Sequence, residues 1–144
     1  MELNDLLESI RQAIVKIIDD ANIGARAINY GDRVRVSDLK PPVIWILPAD
    51  SNIAFSGMGE IWEFRFAVAA VIKETDPVKG RKKADDMAAK ASSSLVRSRT
   101  LGGIVRNVKR IQYLATDTAG MSASDLFSAG YMMEAEFRYL EREA

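Results

Sequence analysis

A serine–lysine pattern and a glycine pair are the first residues in this sequence whose spacing suggests chemistry. Ser37-Asp38-Leu39-Lys40 matches the S-x-x-K pattern of serine β-lactamases, which places a nucleophilic serine beside a lysine. The pattern precedes Pro41 in a predicted loop, with no helix to aim the serine, and no K-T-G occurs in the sequence. Gly57-Met58-Gly59 begins a dinucleotide fingerprint, but Trp62 stands where its third glycine is needed. Neither pattern predicts a working site.

Acid–base and metal chemistry have few residues to use. The sequence contains no histidine and no cysteine, which removes the commonest general base, the thiolate nucleophile and the usual transition-metal ligands. Asp85 and Asp86 are adjacent on a predicted helix, so their side chains point about 100° apart and cannot act as a carboxylate pair. We therefore predict a protein that is not an enzyme and that has no catalytic residues, no cofactor and no metal site.

One basic cluster stands out in a chain whose charges balance. Twenty Lys and Arg residues match twenty Asp and Glu residues, which argues against general polyanion binding. Four basic residues nevertheless gather where Asp76-Pro77 predicts a helix start, an end at which the helix dipole favours anions. The candidate contacts for a phosphate or an acidic partner are Lys79, Arg81, Lys82 and Lys83. The alternative is a solvated helix turn.

Length and hydropathy predict one domain with no membrane segment. A chain of 144 residues is the size of a single domain, and we assign residues 1–144 to one unit. No apolar run approaches the 18 or so residues that a membrane span needs. The opening MELNDLLESI is acidic and lacks the basic start and apolar core of a signal peptide, so we expect a cytoplasmic protein.

Hydrophobic periodicity predicts the elements that would position these residues. Leucines and isoleucines recur at helical spacing over residues 3–21, with Asn4 or Asp5 as the cap. Prolines at 41, 42 and 48 confine a strand to residues 43–47, which is apolar on both faces. The remaining predictions are an edge strand near 33–36, loops at 49–59 and 115–127, strands at 62–73, 104–114 and 127–139, and a helix at 77–98.

These elements predict an α+β fold. We expect a mainly antiparallel or mixed sheet of four to five strands, with the two helices packed on one face. The strand at 43–47 would lie inside the sheet. Its second face, which includes Trp45, would need cover from another layer of the chain or from another protein.

The segments together resemble the tail terminator family of long-tailed phages and prophages, also called tail-completion or minor tail protein U-like proteins. The resemblance covers most of the chain. It depends on LLESIRQAIVKII, PPVIWILPAD, EIWEFRFAVAAVIKE leading into DPVKGRKKADDMAAKA, LGG before a strand, and the closing EAEFRYLERE.

The resemblance implies a structural role in virion assembly. Members form a ring, usually of six subunits, on the end of the tail tube; the ring stops tube polymerisation and presents the surface that joins the head. The implied partners are other copies of the chain, the tail tube protein and head–tail connector proteins. DNA would only pass through, without sequence-specific binding. The implied location is the host cytoplasm during assembly and then the head–tail junction of the virion.

A ring needs apolar interface residues, and the predicted loops and the central strand supply candidates. Long loops in small domains are usually functional or disordered. The candidates for contact with a neighbouring subunit or the tail tube are Trp45, Phe55, Met58, Met121 and Phe127. The alternative is that one or two of the loop residues fold onto the core.

Two other functions remain open from the sequence. The chain could be another neck or head–tail connector ring subunit. It could instead be a small nucleic-acid-associated module that uses the basic cluster at 79–83, extended by Arg97, Arg99, Arg106, Lys109 and Arg110.

Overall fold

The protein is an α+β domain with a six-stranded mixed sheet and two helices, as seen in a computed structural model that describes residues 2–29, 40–57, 59–115 and 125–141. The predicted fold class is confirmed, although the sheet has six strands rather than four to five. In chain order the elements are α1 (Leu3–Asp20), β1 (Arg26–Asn29), β2 (Val43–Pro48), β3 (Asn52–Ser56), β4 (Gly59–Lys73), α2 (Pro77–Arg97), β5 (Asn107–Leu114) and β6 (Leu126–Tyr139).

The sheet is organised around the long strands β4 and β6. They pair antiparallel from Glu60 opposite Tyr139 to Lys73 opposite Leu126. β5 extends the sheet beyond β6, and β2 and β1 extend it beyond β4, with β1 parallel to β2 and all other pairs antiparallel. β3 lies on the same side of β4 as β2 but pairs with the first residues of β4. β2 is therefore an inner strand, as its apolar run predicts.

Both helices cover one face of this sheet, which we call the helix face. α1 buries Ile10, Ile14 and Ile18 against it. α2 buries mainly small residues, which lets its backbone lie close to the sheet. The side chains of β4 and β6 that face the helices are the alternating set that the sequence predicts: Phe64, Phe66, Val68, Ala70 and Ile72, with Ala129, Met133, Ala135 and Phe137.

The two helix starts show one correct and one wrong prediction. Asp76 caps α2 as predicted, because its Oδ1 accepts hydrogen bonds from the backbone N–H groups of Val78 and Lys79 at 3.0 and 3.4 Å. The predicted caps Asn4 and Asp5 of α1 are wrong. The helix begins at Leu3 after Glu2, which makes no side-chain cap, so both residues already lie within its first turn.

Several strand boundaries also differ from prediction. The loop predicted at 49–59 contains β3, because β4 begins at Gly59 and so offers its first residues as a ladder for 52–56. β1 was not predicted; the Asp19 carboxylate of α1 accepts the backbone N–H of Ala27 at 2.9 Å and fixes it there. β2 includes Pro48, β5 begins only at Asn107, and β6 begins at Leu126 inside the loop predicted at 115–127. The edge strand predicted at 33–36 lies outside the described residues.

Candidate assembly surface

The hairpin of β3 and β4 carries two exposed apolar side chains, one of which is the most exposed large apolar side chain of the described chain. Phe55 is 84% exposed and Ile53 is 51% exposed. Both point to the same side, since their cross-strand partners are Glu60 and Trp62. Leu140, just after β6, is 59% exposed. Together Ile53, Phe55 and Leu140 form what we call the hairpin patch, and a groove of about 380 Å³ runs between Phe55 and Leu140.

The base of the hairpin is held firmly, so the patch has a fixed position. The Trp62 ring stacks on Phe137 with centroids 5.6 Å apart, and its Nε1–H donates to Glu60 Oε1 at 3.2 Å. Gly59 has φ of 139°, and a Cβ at this position would lie 2.7 Å from the carbonyl oxygen of Tyr139. Glycine is therefore required where the hairpin turns back against the end of β6.

The junction between β2 and β3 keeps the edge of β4 paired. The backbone N–H of Ala49 donates to the Arg65 carbonyl at 3.2 Å. The backbone N–H of Arg65 donates to Ser51 Oγ at 2.9 Å, so a side chain replaces one ladder hydrogen bond. β3 is thus tied to β4 although it carries almost no buried surface of its own.

Trp45 lies on the other face of the sheet, which we call the open face. It packs, half-buried, beside a small second cluster made of Ile28, Val43 and Val71. Its partner across the ladder is Ala69. The small cluster therefore covers part of the open face of β2, which is the apolar strand that the sequence predicts to be covered on both faces. Whether Trp45 also contacts a neighbouring subunit stays a prediction.

An ion-pair network occupies the open face beside these apolar residues. Glu134 of β6 is buried, and it receives Arg65 Nε of β4 at 3.2 Å and Lys109 Nζ of β5 at 3.5 Å. Two residues further along β6, the Glu136 carboxylate lies 3.5 Å from the guanidinium of Arg106. A buried carboxylate needs such partners, because an uncompensated charge would be costly. The network therefore ties the three strands β4, β6 and β5 together.

The predicted anion-binding cluster is divided by the fold. Arg81 Nη1 donates to the Ser128 carbonyl of β6 at 2.8 Å, and Lys83 Nζ lies 2.6 Å from Glu74 Oε2. The hydrogen bond from Lys83 lowers the pKa of Glu74. Lys79 and Lys82 are exposed. The capping carboxylate of Asp76 already occupies the helix start where an anion would bind.

Four of the five basic residues of the predicted extension are engaged within the chain too, and Arg97 is exposed. Arg110 reaches α2, where its Nε donates to Ser92 Oγ at 2.8 Å, and its guanidinium lies 5.3 Å from the Tyr131 ring centroid. Arg99 donates to Asn107 Oδ1 at 3.4 Å. With Arg106 and Lys109 in the ion-pair network, these side chains act first as cross-links of the fold.

The other interface candidates divide between core and undescribed regions. Phe127 packs against α2, and its ring lies where a Cβ on Gly80 would be. This is the core placement that the sequence left as an alternative. Met58 and Met121 lie outside the described residues. Of the five candidates, the structure brings Phe55 to an exposed patch and Trp45 to the half-buried open face.

Sequence reasoning missed two features of the surface. Ile53 and Leu140 were not among the predicted interface residues, although the alternation of Ile53 and Phe55 before Gly57 and Gly59 is a hairpin signal. A cavity of about 250 Å³ also lies between α1 and the sheet. It has Phe64 and Arg11 in its wall, with the guanidinium 5.9 Å from the ring centroid. Only tertiary packing creates this cavity.

Within residues 2–29, 40–57, 59–115 and 125–141, no three acidic side chains come together in a way that could hold a metal ion. Neither helix of these residues has the length and hydropathy to cross a membrane.

No protein-family model matches the chain, and no curated protein matches it.

Proposed function

We propose that this protein is a structural subunit that assembles with copies of itself into a ring at the end of a phage tail tube. The observation that carries the proposal is the hairpin patch. Its two strand residues project from an otherwise well-packed domain on a hairpin whose base is fixed by Trp62 and Gly59. Exposed apolar residues in one place, rimmed by polar groups, mark interaction sites.

The particular assembly is proposed from the resemblance to tail terminators. In that role the ring stops tube polymerisation and offers the surface that joins the head, first in the host cytoplasm and then in the virion. Its partners would be the tail tube protein and head–tail connector proteins, with DNA in passage. Another ring of the neck, such as a connector subunit, would use the same patch in the same way.

The internal contacts of the basic residues favour this proposal over a nucleic-acid-binding module. Arg81, Lys83 and Arg110 hold groups of their own chain. A protein that neutralises several phosphates loses affinity steeply as salt rises. A ring held by apolar side chains is expected to keep its subunits together over the same range of salt.

The function can be tested with the tail tube protein of the same phage or prophage. That protein is allowed to polymerise with and without the purified chain, and tube lengths are measured by negative-stain electron microscopy. The proposal predicts shorter tubes that carry a ring at one end. Tubes of unchanged length with bare ends would contradict the terminator role. Rings that form but bind only connector proteins would favour the neck alternative.

A further inference from the structure

Two of the three edge strands of the described sheet, β3 and β5, carry most of the exposed large apolar side chains of the described chain. Among all described residues, six large hydrophobic side chains are exposed. Four of the six lie on these two strands: Ile53 and Phe55 on β3, and Ile111 and Tyr113 on β5. Tyr113 is 45% exposed and points to the helix side, because it pairs with Tyr131. Ile53 and Phe55 point to the same side. Two copies placed edge to edge with the same face up would bring these side chains together.

The strand directions suit this arrangement. β3 runs antiparallel to β4, β4 antiparallel to β6, and β6 antiparallel to β5. β3 and β5 therefore run in opposite directions. If a second copy is placed beside the first in the same orientation, its β5 meets β3 as an antiparallel neighbour, which is the more stable way to pair strands.

The offset between the two edges matches what a closed sheet needs. Ala54, at the centre of β3, pairs with Ile61, whereas Arg110, near the centre of β5, is level with Phe66 through Met133. Side chains that pair across a ladder point to the same face, so Ala54, which points to the open face, would stand opposite Lys109 or Gln112 rather than Arg110. This pairing shifts each copy by about four or six residues, or about 13 to 20 Å, across four strands that span about 19 Å. The strands would then tilt by about 35° or about 46° from the axis, at the two ends of the range of roughly 35–45° found in closed sheets.

The residue types at the two edges favour contact between unlike edges. β3 has no charged residue and no proline, so it lacks the usual protection of an edge strand. Glu60 and Glu63 lie opposite it on β4, and Asp50 precedes it by two residues. β5 has Lys109 and Arg110 and no acid, and it is interrupted by a bulge at Ile111. Like charges therefore oppose β5 pairing with itself, while the acids near β3 complement it.

We propose that β3 of one copy pairs antiparallel with β5 of the next, so that the sheets join edge to edge around the ring. This partner assignment rests on the proposed function, because it takes the partner to be a second copy of the chain. The contact is heterologous: each copy gives β3 to one neighbour and β5 to the other, which is the type of contact that closes into rings.

Cysteine cross-linking tests the pairing directly, because the natural sequence has no cysteine to give a background. Ala54→Cys and Gln112→Cys place thiols on the open-face side of the two strands, since these residues pair with Ile61 and Met132. A short bismaleimide, which tolerates a small error in register, is added to each variant alone, to a mixture of the two and to the double variant. The expected result is a dimer band in the mixture and a ladder of multimers in the double variant.

The control replaces Gln112→Cys by Lys16→Cys, an exposed position on α1 away from both edges. We expect the pair of Ala54→Cys and Lys16→Cys to give at least tenfold less cross-linked product. Dimers formed by Ala54→Cys alone would show that β3 pairs with β3, and would overturn the proposal. Equal products in the control would also overturn it, because they would indicate random collisions.

Native mass spectrometry of the unmodified chain separates this proposal from the proposed function. Closed rings without the cross-link between β3 and β5 would overturn the edge pairing and leave the ring function standing. The cross-link together with open filaments would support the edge pairing and contradict the terminator role.

Discussion

Some charged residues of this protein stabilise the fold through ion pairs and hydrogen bonds that cannot be predicted from their positions in the sequence. Glu74 is the clearest case, since it receives the Lys83 ammonium at 2.6 Å and also accepts backbone N–H groups of Thr75 and Asp76. These contacts favour the carboxylate, and the hydrogen bond from Lys83 is the largest cause of the lowered pKa. Lys83, predicted as an anion contact, thus already holds an anion of its own chain.

The lowered pKa of Glu74 predicts how stability depends on pH. Because the folded-state pKa lies below the ordinary value of 4.5, the stabilisation is present above that pH and is lost as pH falls through the folded-state pKa. Glu74→Gln should therefore lose less stability than the wild type on acidification, as measured by urea unfolding from pH 7 to pH 3. In a Lys83→Met background the same substitution should change this profile less. Parallel profiles for wild type and Glu74→Gln would contradict the assignment.

Gly80 is predicted to be required by the aromatic ring that packs on it. A Cβ there would overlap the ring of Phe127, so Gly80→Ala should destabilise the fold by about 1–2 kcal/mol despite the better helix propensity of alanine. The measurement is thermal or urea unfolding. Gly57→Ala is the matched control, because nothing lies within 4 Å of a Cβ at that position. If Gly80→Ala is as stable as the wild type, Phe127 does not pack on α2 as described.

At the scale of elements, the sequence predicts the long amphipathic segments and misses the short ones. α2 and β6 follow from periodicities that are visible locally, and from the Asp76-Pro77 cap. β1 and β3 are four and five residues long and exist because a neighbour supplies a ladder. β3 in particular depends on the early start of β4 at Gly59. The alternation of Ile53 and Phe55 is a local signal of a hairpin, but it does not show that β4 begins as early as Gly59.

The same limit explains why the candidate surface was only partly predicted. Phe55 and Phe127 are both aromatic residues of predicted loops, and the sequence gives them equal weight. Phe127 is packed because Gly80 of α2 leaves room for its ring, whereas Phe55 is exposed because it lies on the projecting hairpin. Arg81 and Lys83 likewise acquire their roles only when Ser128 and Glu74 come close to α2.

Substitutions in the hairpin patch are predicted to reduce ring formation without changing the stability of the fold. Replacing both Ile53 and Phe55 by serine should reduce the mass fraction of rings at least tenfold, and should change the unfolding free energy by less than about 0.5 kcal/mol, since both side chains are largely exposed. Light scattering after size exclusion and urea unfolding give the two readouts. Val78→Ser is the control, as Val78 is 78% exposed on α2, away from the hairpin. Equal loss of rings in both variants would contradict a specific role for the patch.

A charge added to the unprotected edge of β3 is predicted to weaken assembly. Ala54→Lys adds a charge of the type that natural edge strands use to prevent pairing. It should weaken assembly while the far-ultraviolet circular dichroism and the melting temperature stay near those of the wild type. Gln12→Lys adds the same charge to an exposed position of α1 and should assemble normally. Normal ring formation by Ala54→Lys would show that the edge of β3 is not used.

At the scale of the whole molecule, the fold separates a well-packed framework from the edge strands at which we propose that assembly occurs. The helix face is filled by α1 and α2, and the open face carries an ion-pair network beside a small apolar cluster that includes Trp45. The exposed apolar groups lie mainly along the outer strands of the sheet. A domain built in this way can add neighbours at its edges without rearranging its core.

Native mass spectrometry of the wild-type chain over a concentration series, with negative-stain images of the same samples, tests the central claim most directly. We expect closed rings of one subunit number, six if the resemblance to tail terminators holds, and these rings should persist when the salt concentration is raised. A chain that stays monomeric at every concentration and also on the ends of tail tubes would contradict it.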